Sequence, residues 1–115
     1  MAYKTGGRKP LTFQLQLRGG VEAKTLAGNL TLDEMSSTML KLDPGGSARD
    51  VTLPAGKDGL VFHISNAADA AEALTVKDAA AATVATISQN EAAWIGCTAD
   101  GDNWIHFGIV TIALT

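Results

Sequence analysis

The residues of this chain best suited to chemistry are two histidines and a single cysteine. His63 and His106 both lie inside apolar, strand-like stretches, whereas catalytic side chains are concentrated on loops. We therefore interpret each as a structural histidine with one hydrogen-bonded ring nitrogen. Cys97 stands between Gly96 and Thr98, and a free cysteine most often behaves as a small buried apolar residue. No Cys/His spacing matches a zinc site, so no metal is expected.

An acidic segment near the C-terminal end has the composition of a calcium-binding loop. An EF-hand, however, requires a bidentate glutamate at the twelfth loop position, which is Thr111 here, and then a helix. The Asp-Gly pair instead predicts a type I′ hairpin turn between two strands. Neither Gly6-Gly7 nor Gly45-Gly46 is followed by the Gly-Lys-Ser/Thr of a phosphate-binding loop. The acidic segment reads Asp100-Gly101-Asp102-Asn103.

Two tryptophans are the residues best suited to stacking on a sugar or a base. Trp94 and Trp104 stand ten positions apart, on the two sides of the predicted hairpin. This spacing favours two rings that face each other in the core. Because no group of residues converges on a reaction, the sequence predicts no enzyme and no cofactor.

The elements that must position these residues are expected to be β-strands of one domain. Hydrophobic residues make up 46% of the chain and aromatic residues only 5%, which indicates a core of small and branched aliphatic side chains. Residues 11–18 alternate strictly between apolar and polar side chains, as a half-buried strand does. Turn signals such as Asp43-Pro44-Gly45-Gly46 separate further short β-prone runs. Leu60–Ile64 is the most apolar run and is predicted to be a central strand.

About nine or ten short strands favour a compact antiparallel β-sandwich or barrel, jelly-roll-like or β-tulip-like. Asp33–Ser37 is expected to break the strands, with one helical turn capped by Asp33, and 65–73 is expected to be a loop with at most a short helix. Because alternate residues face opposite sides, some predicted core residues should bury in a subunit interface. The predicted strands lie at 11–17, 38–42, 50–53, 60–64, 74–76, 83–87, 93–97, 104–107 and 109–114, with 21–26 as a further candidate and 29–32 as a short β-prone run. The predicted core contains Phe13, Leu15, Leu53, Val61, Phe62, Ile64, Ile95, Trp104 and Ile105.

The charge is unevenly distributed along the chain. Residues 1–24 carry +4 and residues 25–115 carry −7, which together make the net charge of −3. We interpret 1–10 as a flexible basic arm in front of the β domain 11–115, with Lys4, Arg8 and Lys9 as candidate contacts to an acidic surface. A frayed terminus explains the same composition. Nucleic acid is disfavoured because the basic patch is thin, and no apolar stretch approaches the roughly 20 residues of a membrane-spanning helix.

A family resemblance is carried by the segment from Thr38 to Gly108. A Val-Thr-Leu-Pro-Ala element begins at Val51, the apolar strand Gly59–Asn66 follows it, and an Asp-Gly-x-Asn-Trp hairpin ends at Trp104. This arrangement resembles the β-rich surface modules of tailed-bacteriophage virions. Such modules are found in head decoration proteins and in tail-fibre or tail-spike regions.

Among these modules, a short chain with one compact domain and an arm is most similar to capsid decoration proteins. The resemblance implies a non-enzymatic structural protein that binds the major capsid protein on the capsid exterior, stabilises the head at capsomer junctions and forms a homotrimer. It also implies synthesis in the host cytoplasm, which fits the lone Cys97. A receptor-binding or tail-fibre module is the alternative, favoured by an exposed aromatic groove. A small β-barrel binding protein or enzyme would need an apolar pocket at His63 or His106.

Overall fold

The computed structural model describes residues 18–112, so the basic arm and the strand predicted at 11–17 lie outside the described residues. The described chain contains nine β-strands and no helix, which confirms the all-β prediction. None of its elements is a helix long and apolar enough to cross a membrane. The strands are Val21–Thr25 (β1), Leu30–Thr31 (β2), Met39–Asp43 (β3), Arg49–Thr52 (β4), Val61–Asn66 (β5), Leu74–Lys77 (β6), Thr83–Ile87 (β7), Glu91–Ala99 (β8) and Asn103–Thr111 (β9).

The strands form two sheets, ordered β1-β3-β5-β8-β9 and β2-β4-β6-β7. The first six strands alternate between the sheets, so β1, β3 and β5 are parallel neighbours in one sheet and β2, β4 and β6 in the other. The chain therefore winds through three successive coils, each of which adds one strand to each sheet. β7, β8 and β9 complete the sheets with antiparallel pairs.

The prediction of antiparallel strands is wrong for the first half of the chain, and the barrel alternative is wrong because the sheets do not close. Four of the seven strand pairs are parallel, and neither mixed sheet closes into a barrel. Alternation of apolar residues reports which side of a strand is buried, but it does not report the direction of the neighbouring strand. After each Gly- or Pro-containing turn in the first half, the chain crosses to the opposite sheet instead of folding back as a hairpin.

The core lies between the two sheets. Leu40 and Leu42 of β3 are both buried, as the alternation predicted. β5 has two strands on each side, so the prediction of a central strand at Leu60–Ile64 is confirmed. Of the predicted core, Val61 is half-buried and Ile105 is 47% exposed, which shows that these two strands carry apolar side chains on both faces. Phe13 and Leu15 lie outside the described residues, and the buried members of the prediction are Leu53, Phe62, Ile64, Ile95 and Trp104.

The turn after β3 depends on two glycines. Gly45 and Gly46 have φ angles of 75° and 100°, and the N–H of Gly45 donates to Asp43 Oδ1 at 2.9 Å. A Cβ on Gly45 would also overlap the carbonyl oxygen of Leu26. Only glycine fits this position, because it combines a left-handed backbone with a close backbone approach. The predicted Pro-Gly turn is thus confirmed.

One local prediction is confirmed in part and another is wrong. Residues Asp33–Ser37 break the strands with a single turn that is not helical, and Asp33 caps this turn as predicted, because its Oδ1 accepts from the N–H of Met35 at 2.8 Å. The β8–β9 hairpin exists, but of its turn residues Gly101 alone has a positive φ, whereas type I′ requires two in succession. Asp100 Oδ1 accepts from the N–H of Asp58 at 2.9 Å and so ties this turn to the loop before β5.

Candidate functional site

The structure separates the residues that sequence analysis considered for chemistry. Cys97 faces the core from β8, and its Sγ lies 2.8 Å from the carbonyl oxygen of Ala99, which confirms a buried, packed cysteine. His63 is half-buried on the opposite, outer face of the five-stranded sheet, and His106 is exposed on β9. Within residues 18–112, no three His, Cys, Asp or Glu side chains stand close enough to hold a metal ion.

The two tryptophans do not face each other, so that prediction is wrong. Trp104 pairs with Cys97 and is buried against Phe62, with ring centroids 6.1 Å apart. Trp94 precedes Cys97 by three positions, and an odd spacing along a strand places a side chain on the other face of the sheet. The register of the hairpin, which the Asp-Gly turn alone did not define, decides this outcome.

An aromatic platform stands on the outer face of the five-stranded sheet. The rings of Trp94 and Phe107 are nearly parallel, with centroids 6.2 Å apart and 19° between their planes. The imidazole of His63 meets the Trp94 ring edge-on at 4.7 Å. Trp94 is 36% exposed and Phe107 is 53% exposed. Two large rings are therefore held in a defined arrangement while remaining accessible to a partner.

A β-bulge directly follows Phe107 in β9. β9 places two residues, Phe107 and Gly108, opposite the single residue Trp94 of β8. Gly108 has a φ of 133°, which residues with a side chain rarely adopt. Beyond the bulge the alternation is reset, so Ile109 packs on the core although Phe107 points outward. The two strands predicted on either side of Gly108 are accordingly one bulged strand.

The platform belongs to a wider surface, which we call the outer apolar face. Four of the six large apolar side chains exposed in residues 18–112 belong to it. Phe107 also covers Gly96, where an added Cβ would lie 2.9 Å from the Phe107 ring. By strand register the face consists of one row of Val21, Met39, His63 and Trp94, an adjacent row of Val61, Gly96 and Ile105, and Phe107 beside them.

The outer apolar face carries almost no charge. Burial lowers the pKa of His63 below its usual 6.5, so this histidine is neutral at pH 7. Lys41 and Asp43 follow Met39 on β3 and bring charge only at the border of the face. Residues 18–112 as a whole contain six basic and twelve acidic side chains, a net charge of −6. An uncharged face on an acidic body is suited to apolar contact with another macromolecule.

Sequence analysis expected some predicted core residues to lie in a subunit interface, but it did not locate this face, although a signal for its position exists. The pairs Val61-Phe62 and Trp104-Ile105 are apolar at consecutive positions, and such pairs place apolar side chains on both sides of a sheet. Neither of two shallow surface pockets, one beside Ala23–Thr25 and one beside Ala71–Ala73, is lined by a histidine. Lys4, Arg8 and Lys9, the predicted capsid contacts, lie outside the described residues.

Comparison with known proteins adds no relative. No family model matches the chain, and no curated protein is significantly similar to it.

Proposed function

We propose that this protein is a non-enzymatic structural module of a tailed-bacteriophage virion, which decorates the capsid exterior and stabilises the head. The observation that carries the proposal is the outer apolar face, a broad uncharged surface with two ordered aromatic rings. The resemblance of the Thr38–Gly108 segment to virion surface modules supplies the biological setting. The expected partners are the major capsid protein and further copies of the chain.

The energetics of the face favour macromolecular contact. Fully burying a large apolar side chain contributes about 1.5–3 kcal/mol, so Trp94, Phe107 and Ile105 together offer several kcal/mol on association. The face has little charge to desolvate, which keeps the cost of burying it low. Aromatic side chains are typical of the centres of protein interfaces, and two of the four aromatic residues in 18–112 lie here.

The basic arm would supply a second contact. Lys4, Arg8 and Lys9 would meet acidic groups on the shell, while the rest of the molecule has the opposite charge. Each exposed ion pair contributes only about 0.2–1 kcal/mol, so the arms act effectively when an oligomer engages several together. A homotrimer at a capsomer junction meets this requirement.

A receptor-binding or tail-fibre module is the second candidate function. The observation that favours it is the near-parallel, accessible stacking of Trp94 and Phe107, because exposed rings also bind flat ligands by stacking. A recognition module would bind the host surface, whereas a decoration protein binds the head. The two candidates are therefore separated by the particle to which the chain binds.

Co-sedimentation with emptied, expanded heads of the source virus tests the proposal. The wild-type chain should bind to saturation at a fixed number of copies per head and should raise the temperature at which the heads break. Phe107→Lys should lower the occupancy, because it places a charge on the outer apolar face. Met35→Lys is the matched control, since Met35 is 82% exposed and lies in a turn outside the face.

Absence of saturable binding to heads would overturn the proposal. Saturable binding to host cells, lost in Phe107→Lys and retained in Met35→Lys, would instead establish the recognition module.

A further inference from the structure

We infer that the outer apolar face is the surface through which copies of this chain bind each other, with the platform of Trp94 and Phe107 at the centre of the contact. The inference rests on the proposed function in treating the face as a protein contact surface. It goes further by naming a second copy of the chain as the partner on that face.

The charge distribution favours a second copy. Residues 18–112 carry −6, so two copies repel each other over most of their surface. The outer apolar face is a region where acidic groups are absent and His63 is neutral, and two copies approach there with little repulsion. A partner recognised by complementary charge would find little to bind on this face.

The shape of the face, with projecting rings beside small side chains, is suited to self-association. The rings of Trp94 and Phe107 project beside a row of Ala23, Lys41, Ser65 and Ala92, in which Lys41 is the one long side chain. Projecting rings and shallow positions on one face are the elements of a self-complementary contact. Gly96 contributes by leaving room for the Phe107 ring to lie flat on the sheet.

The size of the face is sufficient for an oligomer. Five strands spaced about 4.8 Å apart span roughly 24 Å, and five to nine residues per strand span roughly 17–30 Å, which gives an area of about 500 Å². Two copies would bury about 1,000 Å² in total, which is the lower limit for a specific interface. Three copies around an axis would bury about 1,500 Å² in total, divided among three interfaces of about 500 Å² each.

The apolar side chains that lie outside the core also support contact between copies. Ile105 and Val61 have the apolar character of core residues, yet they lie on the outer side of β9 and β5. Sheets commonly pack face to face at about 10 Å through such side chains. Contact between copies would convert this surface into a second core shared by the subunits.

Sedimentation velocity of the full chain from 1 to 100 micromolar, combined with hydroxyl-radical footprinting of Trp94 and Phe107, tests the inference. The wild type should sediment as an oligomer, with the trimer dominant at high concentration, and both rings should be protected at least threefold relative to Phe107→Lys. Phe107→Lys should sediment as a monomer with unchanged circular dichroism. Met35→Lys, the control, should assemble as the wild type does.

Three results would overturn the inference. A monomer whose rings react with hydroxyl radicals would show that the face is free. A monomer whose rings are protected would show that the chain's own residues 1–17 cover the face. An oligomer unaffected by Phe107→Lys would place the interface elsewhere. Head binding is measured separately. A monomer that binds heads would overturn the inference and keep the proposed function. An oligomer that forms through this face but does not bind heads would keep the inference and overturn the proposed function.

Discussion

At the scale of single residues, Asn66 shows how one polar side chain organises a loop within an apolar core. It is fully buried at the end of β5. Its Nδ2 donates to the carbonyl oxygens of Glu72 at 2.8 Å and Ile87 at 2.9 Å, and its Oδ1 accepts from the N–H of Ala68 at 2.9 Å. The side chain thereby fastens both ends of the 67–73 loop and links β5 to β7 of the other sheet.

Replacing Asn66 with Ala should destabilise the fold by on the order of 3 kcal/mol, because it leaves buried backbone groups without hydrogen-bond partners. The measurement is the free energy of unfolding in urea. Asn103→Ala is the control, since Asn103 is exposed and donates one bond, to the carbonyl oxygen of Asp100 at 2.8 Å. Equal losses of unfolding free energy in the two variants would show that the burial of Asn66 does not increase the cost of removing its hydrogen bonds.

At the scale of elements, the bulge in β9 decides which residues at the end of the strand reach the core. Alternation from Trp104 already places Phe107 outward against Trp94, and the additional residue Gly108 returns Ile109 to the core. The return follows because each inserted position reverses the faces of all residues after it. Strand β9 therefore contributes side chains to the core near its two ends and to the outer apolar face in its centre.

Gly108→Ala should cost about 1–2 kcal/mol of unfolding free energy, because the φ of 133° is unfavourable for a residue with a Cβ. Steric overlap plays no part, since no atom lies within 4 Å of the position a Cβ would take. Gly28→Ala is the matched control: its surroundings are equally open and its φ lies outside the positive region, so stability should stay the same or rise slightly. A loss in both variants alike would contradict the role of the bulge.

At the scale of the whole molecule, charge divides the chain into two parts of opposite sign. Lys4, Arg8 and Lys9 precede a region whose net charge is −6. If the arm binds an acidic capsid surface, its contribution is electrostatic and must fall as salt rises. If the segment is only a frayed end, head binding is independent of it.

Deleting residues 2–9 should weaken head binding roughly 3- to 100-fold per subunit at low salt, which corresponds to three exposed ion pairs. Oligomer size and thermal unfolding should not change. Exchanging Lys4, Arg8 and Lys9 for Ser at constant length is the companion variant and should reproduce the loss. Binding as tight as that of the full chain at low and moderate salt would identify the arm as a frayed end.

The sequence by itself determined the fold class and the buried side of most strands. Alternation marked Leu40 and Leu42 as inward, and the most apolar run, Leu60–Ile64, identified the central strand. The turn at Asp43–Gly46 was equally predictable. These features depend on near neighbours in the chain: on the two-residue repeat of a strand and on the backbone freedom of glycine.

Only the tertiary structure decided which strands are neighbours, and in which direction they run. The sequence cannot show that β1, β3 and β5 are parallel, because their partners are separated by about 20 residues and by a strand of the other sheet. The outer apolar face depends on the same information. Trp94, Phe107 and His63 come together only through the register of β8 with its two neighbours, and a shift of one residue would have turned Trp94 into the core.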